Sequence, residues 1–151
     1  MNRRTVAAAI CLAALAFLAL AQASASPPTG SITFVVGGLK SDDGAVLVSL
    51  FDNGKHFPKQ SSKAVGKGRS IIQGGIATVT FSDLPAGTYA AALLHDENNN
   101  REMDYNLLGI PSEGYGFSNN AKASFGPPSF RHAAMRLDRE HLRTTIKIIY
   151  L

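Results

Sequence analysis

The chain reads as an all-β domain, an antiparallel sandwich of about seven strands, and three observations point there. Short runs rich in β-branched and aromatic residues recur along the sequence. Each is closed by a turn signal such as Asp43-Gly44, Asn53-Gly54 or Gly74-Gly75. In the last run Ile146, Ile148 and Tyr150 fall on one face, the period of a half-buried strand. At 151 residues, with 45% hydrophobic and 17% charged, the chain fits one ordered domain rather than a disordered one.

The first strand is expected over Ser31–Val36, where polar and apolar residues begin by alternating and the run stops at Gly37-Gly38. Asp42-Asp43-Gly44 turns the chain into Ala45–Phe51, which is β-branched and apolar, and Asp52-Asn53-Gly54 closes it. From Lys55 to Gly68 the sequence is polar and aperiodic, a loop with one short helical turn near Phe57–Lys63. A hairpin follows, pairing Ser70–Gln73 with Ile76–Phe81 across Gly74-Gly75. In Ser82–Tyr89, Pro85 fixes φ and Gly87 permits a reversed turn into the small-residue strand Tyr89–His95. This Leu-Pro-x-Gly-x-Tyr corner is similar to the tyrosine corner of immunoglobulin-like sandwiches and to the corner of transthyretin-like and carboxypeptidase-regulatory-like modules. The resemblance implies an immunoglobulin-like or transthyretin-like sandwich. His132–Leu137 and Thr144–Tyr150 are the remaining strand candidates.

The first 25 residues carry a different message. Asn2-Arg3-Arg4 is a basic start, Val6–Ala21 is almost wholly apolar, and two overlapping Ala-x-Ala sites lie at Ala21–Ala25. The apolar run is shorter than the roughly 20 residues a spanning helix needs. Residues 1–25 are therefore expected to be a cleaved secretory signal and residues 26–151 a single domain, periplasmic or secreted, with no transmembrane span after cleavage. The single cysteine, Cys11, lies inside the apolar run, so the remaining domain has neither disulfide nor thiol chemistry. Losing Arg3 and Arg4 lowers the formal net charge from +4 to +2, and no dense basic run exists, which argues against nucleic acid.

Two segments are candidates for function. In His95–Asp104, oxygen-bearing side chains stand at positions 1, 3, 5 and 9 of a loop: Asp96, Asn98, Asn100 and Asp104, with Glu102 offering a backbone carbonyl at position 7. Hard cations such as Ca²⁺ take six to eight oxygens, and such spacing folds them around one centre. The spacing resembles calcium loops of the D-x-[DN]-x-[DN]-x-x-x-D type. Arg101 stands where their glycine does, however, and Leu107 where a full EF-hand has a bidentate Glu. Binding in the millimolar range is the expectation. Asx-turns that shape the loop without metal are the alternative.

The second segment, Leu107–Phe130, is rich in Gly, Pro and aromatics, and long ordered loops often carry function. Tyr115, Phe117, Asn119, Asn120, Phe125 and Phe130 are its candidate ligand-binding residues, for a glycan, a peptide or an envelope protein. Alternatively the aromatics tuck under the loop as a second small core. His95–Asn98, Leu108–Pro111, Glu113–Asn120 and Phe125–Phe130 together resemble the signature of a family of exported bacterial proteins classed as a domain of unknown function. Members usually have H-D-x-N-x-N-G-x-x-D, so Arg101 again departs from the pattern.

The functional expectation is a non-catalytic envelope binding or accessory module. A hydrolase built on His95 and His132, with Asp96 and Ser118 as the other residue types required, is one alternative, although neither a G-x-S-x-G elbow nor an H-E-x-x-H helix is present. The other is a structural protein that self-associates through an exposed sheet edge such as Thr144–Tyr150.

Overall fold

A computed structural model describes residues 29–122, 126–138 and 140–151. The expected signal segment and Phe125 lie outside the described residues. The domain is mostly β: β1 Thr29–Gly37, β2 Ala45–Phe51, β3 Gly66–Ser70, β4 Ala77–Pro85, β5 Gly87–Asp96, β6 Gly114–Phe117, β7 Met135–Leu137 and β8 His141–Lys147. One short helix, α1, spans Phe130–Ala133 with Ser129 accepting the His132 N–H at its start. No helix among the described residues is long and apolar enough to cross a membrane.

The strands form two facing sheets. One has the order β4-β1-β8; the other runs β3-β2-β5-β6, with β7 pairing Gly87–Tyr89 at the start of β5. Period-2 alternation turns Ile32, Phe34 and Val36 of β1 inward to meet Val46, Val48 and Leu50 of β2. Val79 and Phe81 of β4, Tyr89 and Leu93 of β5, Met135 and Leu137 of β7, and Ile146 with Ile148 also belong to this core. A second, smaller cluster covers the outer face of the larger sheet, where Phe51 and Ala90 meet Phe57, Phe117 and Phe130.

Most expected strands are present, but of Ser70–Gln73 only Ser70 lies in a strand and the last strand ends at Lys147. Pairing is antiparallel except that β8 lies parallel to β1. The two-glycine turn exists, with Gly74 and Gly75 both at positive φ, but it joins strands of different sheets. Only Gln73 and Ile76 bridge across it, and Asp42 accepts both glycine N–H groups at 2.8 Å. β6 arises inside the stretch read as a long loop, and β3 already begins at Gly66 inside the stretch read as polar loop. The front half of His132–Leu137 is the end of α1 rather than strand. The corner behaves as its sequence implies, since the Tyr89 hydroxyl donates to the Pro85 carbonyl at 2.8 Å.

Candidate functional site

Strand register gathers the informative loops at one end of the sandwich. Val36 pairs with Ala77, Gly37 with Lys147, Ala45 with Asp96 and His95 with Gly114. The β1–β2, β3–β4 and β5–β6 connections therefore leave from this end, as does the chain beyond β8.

Buried polar groups pin these loops together. His95 is fully buried, and its Nε2 lies 2.9 Å from the Asp43 carbonyl, which can only accept, so Nε2 carries the proton. Nδ1 then accepts from the Tyr150 hydroxyl at 2.6 Å, and that oxygen accepts the Lys40 N–H at 3.1 Å. Lys40 reaches onward to Glu97 at 2.9 Å, and this hydrogen-bonded pairing raises the Lys40 pKa. Burial pushes the hydroxyls of Tyr150 and Tyr89 above their ordinary value of 10.0. Both therefore favour the neutral form when folded, so their contribution is intact below pH 10.0 and is lost as pH rises through the folded-state values. Melting temperature should hold level up to that pH and fall above it, more weakly in Tyr150→Phe; an unchanged alkaline limb in that variant would contradict the assignment.

The Asp/Asn loop is closed by its own side chains. Asp96 is fully buried, with Oδ2 accepting the Arg101 N–H at 3.0 Å. Asn98 Oδ1 accepts from Asn100 N, and Asn100 Oδ1 from Glu102 N, as Asx-turns do. The amide nitrogens of Asn98 and Asn100 both donate to the Asp104 carboxylate, at 2.6 and 3.0 Å. Asn99 and Arg101 adopt positive φ, so Arg101 occupies the backbone conformation for which a glycine is best suited. The Glu102 side chain is exposed.

Glu113 is the residue that the motif reading missed. It is buried, with one carboxylate oxygen accepting the Glu97 N–H at 2.8 Å and the other the Asp104 N–H at 3.3 Å, which ties both ends of the loop. The signal lay in register: with Gly114 opposite His95, Glu113 must fall beside the start of the loop.

Beyond Asp104 the chain forms a tight finger. Tyr105 bridges Pro111, Gly109 N donates to the Asn106 carbonyl, and the Asn106 side chain accepts from Leu108 N and Ile110 N. Leu107 and Leu108 at its tip are 106% and 83% exposed. The other large exposed apolar side chains among the described residues are Tyr105, Ile110, Ile71, Ile76, Leu151 and Val65, and of all eight only Val65 lies away from this end.

A family model described as an uncharacterized protein conserved in bacteria, DUF2141, matches residues 34–145, from the first strand into the last. The chain belongs to the DUF2141 family. No curated protein and no solved structure matches it.

Within the DUF2141 segment, the structure gives the remaining candidates among the described residues packing or backbone partners. Phe117 and Phe130 stack edge-on against Phe57, and Tyr115 against Phe117. Asn119 donates to the Ala134 carbonyl. Asn120 donates to Thr145 O and accepts from Lys147 N, occupying backbone groups of the β8 edge, while Tyr115 pairs with Ile149 just beyond. The edge considered for self-association is thus partly covered. The hydrolase candidates do not converge: Ser118 bonds Ala91 and Ala133, His95 bonds Tyr150 and Asp43, and His132 is exposed on α1.

Proposed function

We propose that this DUF2141 protein is a non-catalytic binding module of the bacterial cell envelope that engages an apolar surface with the loop-bearing end of its sandwich. The observation that carries this reading is the finger: Leu107 and Leu108 stand in solvent on a loop whose backbone is hydrogen-bonded internally. An ordered loop that displays adjacent leucines forgoes the roughly 1.5–3 kcal/mol that burying each would supply, and docking recovers it. Because the loop is already shaped, little ordering entropy opposes that docking. The basic start, apolar run and Ala-x-Ala sites of residues 1–25 support export to the envelope.

The test compares retention of purified protein on an envelope fraction for wild type, Leu107→Ser/Leu108→Ser and Val65→Ser. All three should melt alike, because each replaced side chain is exposed. Association should fall at least about tenfold in the double variant, from the apolar burial it forfeits, and stay unchanged in Val65→Ser. Equal retention of all three would contradict the reading.

A further inference from the structure

The Asp96 carboxylate poses a problem that the rest of the fold does not solve. Its Oδ2 takes the Arg101 N–H, which turns the group into the loop, but Oδ1 is buried and has no hydrogen-bond partner. A buried, unpaired carboxylate oxygen is costly, and proteins meet such costs with donors or cations. No cationic side chain supplies the charge. Among the described residues the ion pairs are Lys40–Glu97 and Arg136–Asp138, so Asp96, Asp104 and Glu113 have none. Arg69 of β3 reaches the loop but is bonded to the exposed Asn99 side chain.

The other oxygen donors are already drawn together. Asn98 and Asn100 both reach the Asp104 carboxylate, so positions 3, 5 and 9 share one centre, while Asp96 at position 1 holds the backbone of the same loop at Arg101. The left-handed residues Asn99 and Arg101 wrap the backbone around that centre. Half a turn about the Cβ–Cγ bond of each asparagine exchanges nitrogen for oxygen towards Asp104 with no change of backbone, at the cost of the bonds from Asn100 N and Glu102 N.

From these features we propose that the Asp96–Asp104 loop is a Ca²⁺ site. Asp96, Asn98, Asn100 and Asp104 supply side-chain oxygen, Glu102 supplies its carbonyl, and Glu113 acts as a positioning residue that fastens the loop ends by accepting from Glu97 N and Asp104 N. The donor set is oxygen alone, which suits a hard cation rather than a transition metal; among the described residues no three His, Cys, Asp or Glu side chains are grouped, so amide and backbone oxygens must complete the coordination. A loop of carboxylate, amide and carbonyl oxygens suits the larger and geometrically tolerant Ca²⁺ better than Mg²⁺, which demands octahedral ligands and holds its waters. With few formal charges, affinity falls in the range of about 0.1–1 mM typical of extracellular modules. Arg101 lowers it twice, by its charge and by its strained φ. This proposal does not depend on what the finger docks against.

The test is calorimetric and thermal-shift titration of the metal-stripped protein with CaCl₂ and with MgCl₂. One Ca²⁺ should bind per chain and raise the melting temperature, with Mg²⁺ at least about tenfold weaker. Asp96→Asn and Asp104→Asn should each weaken Ca²⁺ at least tenfold. Asp138→Asn, paired with Arg136 on the surface, should leave it unchanged. Arg101→Gly should tighten it several-fold, a gain that damage to folding cannot mimic. No thermal shift at 10 mM Ca²⁺, or wild-type affinity in Asp104→Asn, would overturn the proposal. If Asp96→Asn fails to fold, Asp104→Asn and Arg101→Gly decide it.

Discussion

Gly44→Ala is expected to cost about 3–5 kcal/mol, placing it among the most damaging single substitutions in the domain. A Cβ at this position would lie 1.9 Å from the Asp96 carbonyl oxygen and 2.7 Å from Glu97 Cα. Both are backbone atoms, so no rotamer change can relieve the clash. Gly44 also sits at φ +67, which costs an L-residue roughly 1–2 kcal/mol by itself. The only escape is to part the first residue of β2 from the last of β5, where Ala45 pairs with Asp96. That movement would also displace the buried Asp96 and the His95 contact with Asp43. Urea unfolding gives the number directly, and a loss below about 1 kcal/mol would mean that β2 and β5 are not this close.

Phe34→Ala should cost about 3–5 kcal/mol. The ring is fully buried on the middle strand of the smaller sheet, edge-on to Phe81 with centroids 6.1 Å apart. Neighbours from both sheets hold the space open, because collapse would require β1 to leave its pairing with β4 and β8. The cost is therefore the transfer energy of the ring together with an unfilled cavity. A midpoint shift in urea without a change of slope should report it. A loss near 1 kcal/mol would show that the core can close over the gap.

How far the fold was legible follows from what each signal measures. β2 and the β5 strand stood out because uninterrupted β-branched or small apolar runs were bounded by turn residues on both sides. The Leu84-Pro85-Ala86-Gly87-Thr88-Tyr89 corner encoded its own geometry, down to the tyrosine hydroxyl bond. β6 was hidden because Gly-Tyr-Gly-Phe carries the composition of a loop; only its position against β5 makes it a strand. The hairpin reading of residues 70–81 rested on a sound turn, but periodicity cannot say whether the flanking runs belong to one sheet or two.

The site was legible in part for the same reason. Spacing put Asp96, Asn98, Asn100 and Asp104 in one nine-residue loop, within which Asn98 and Asn100 reach the Asp104 carboxylate. Glu113 was not readable, because its role depends on strand register across fifteen intervening residues of chain and turn. Nor was the finger, whose leucines are informative only through their exposure. The aromatics of the following segment drew attention by composition, and Phe117 and Phe130 prove to pack on the outer face of the larger sheet.

The central claim is that the loop-bearing end meets an apolar surface. The sole cysteine of the chain lies at position 11, within the expected signal, so single-cysteine labelling of the remaining domain is straightforward. An environment-sensitive fluorophore attached at Leu108→Cys should shift its emission to the blue when envelope fraction is added, while the same probe at Val65→Cys should not. An emission shift at Val65 alone, or identical responses at both positions, would contradict the assignment of the binding surface to the finger.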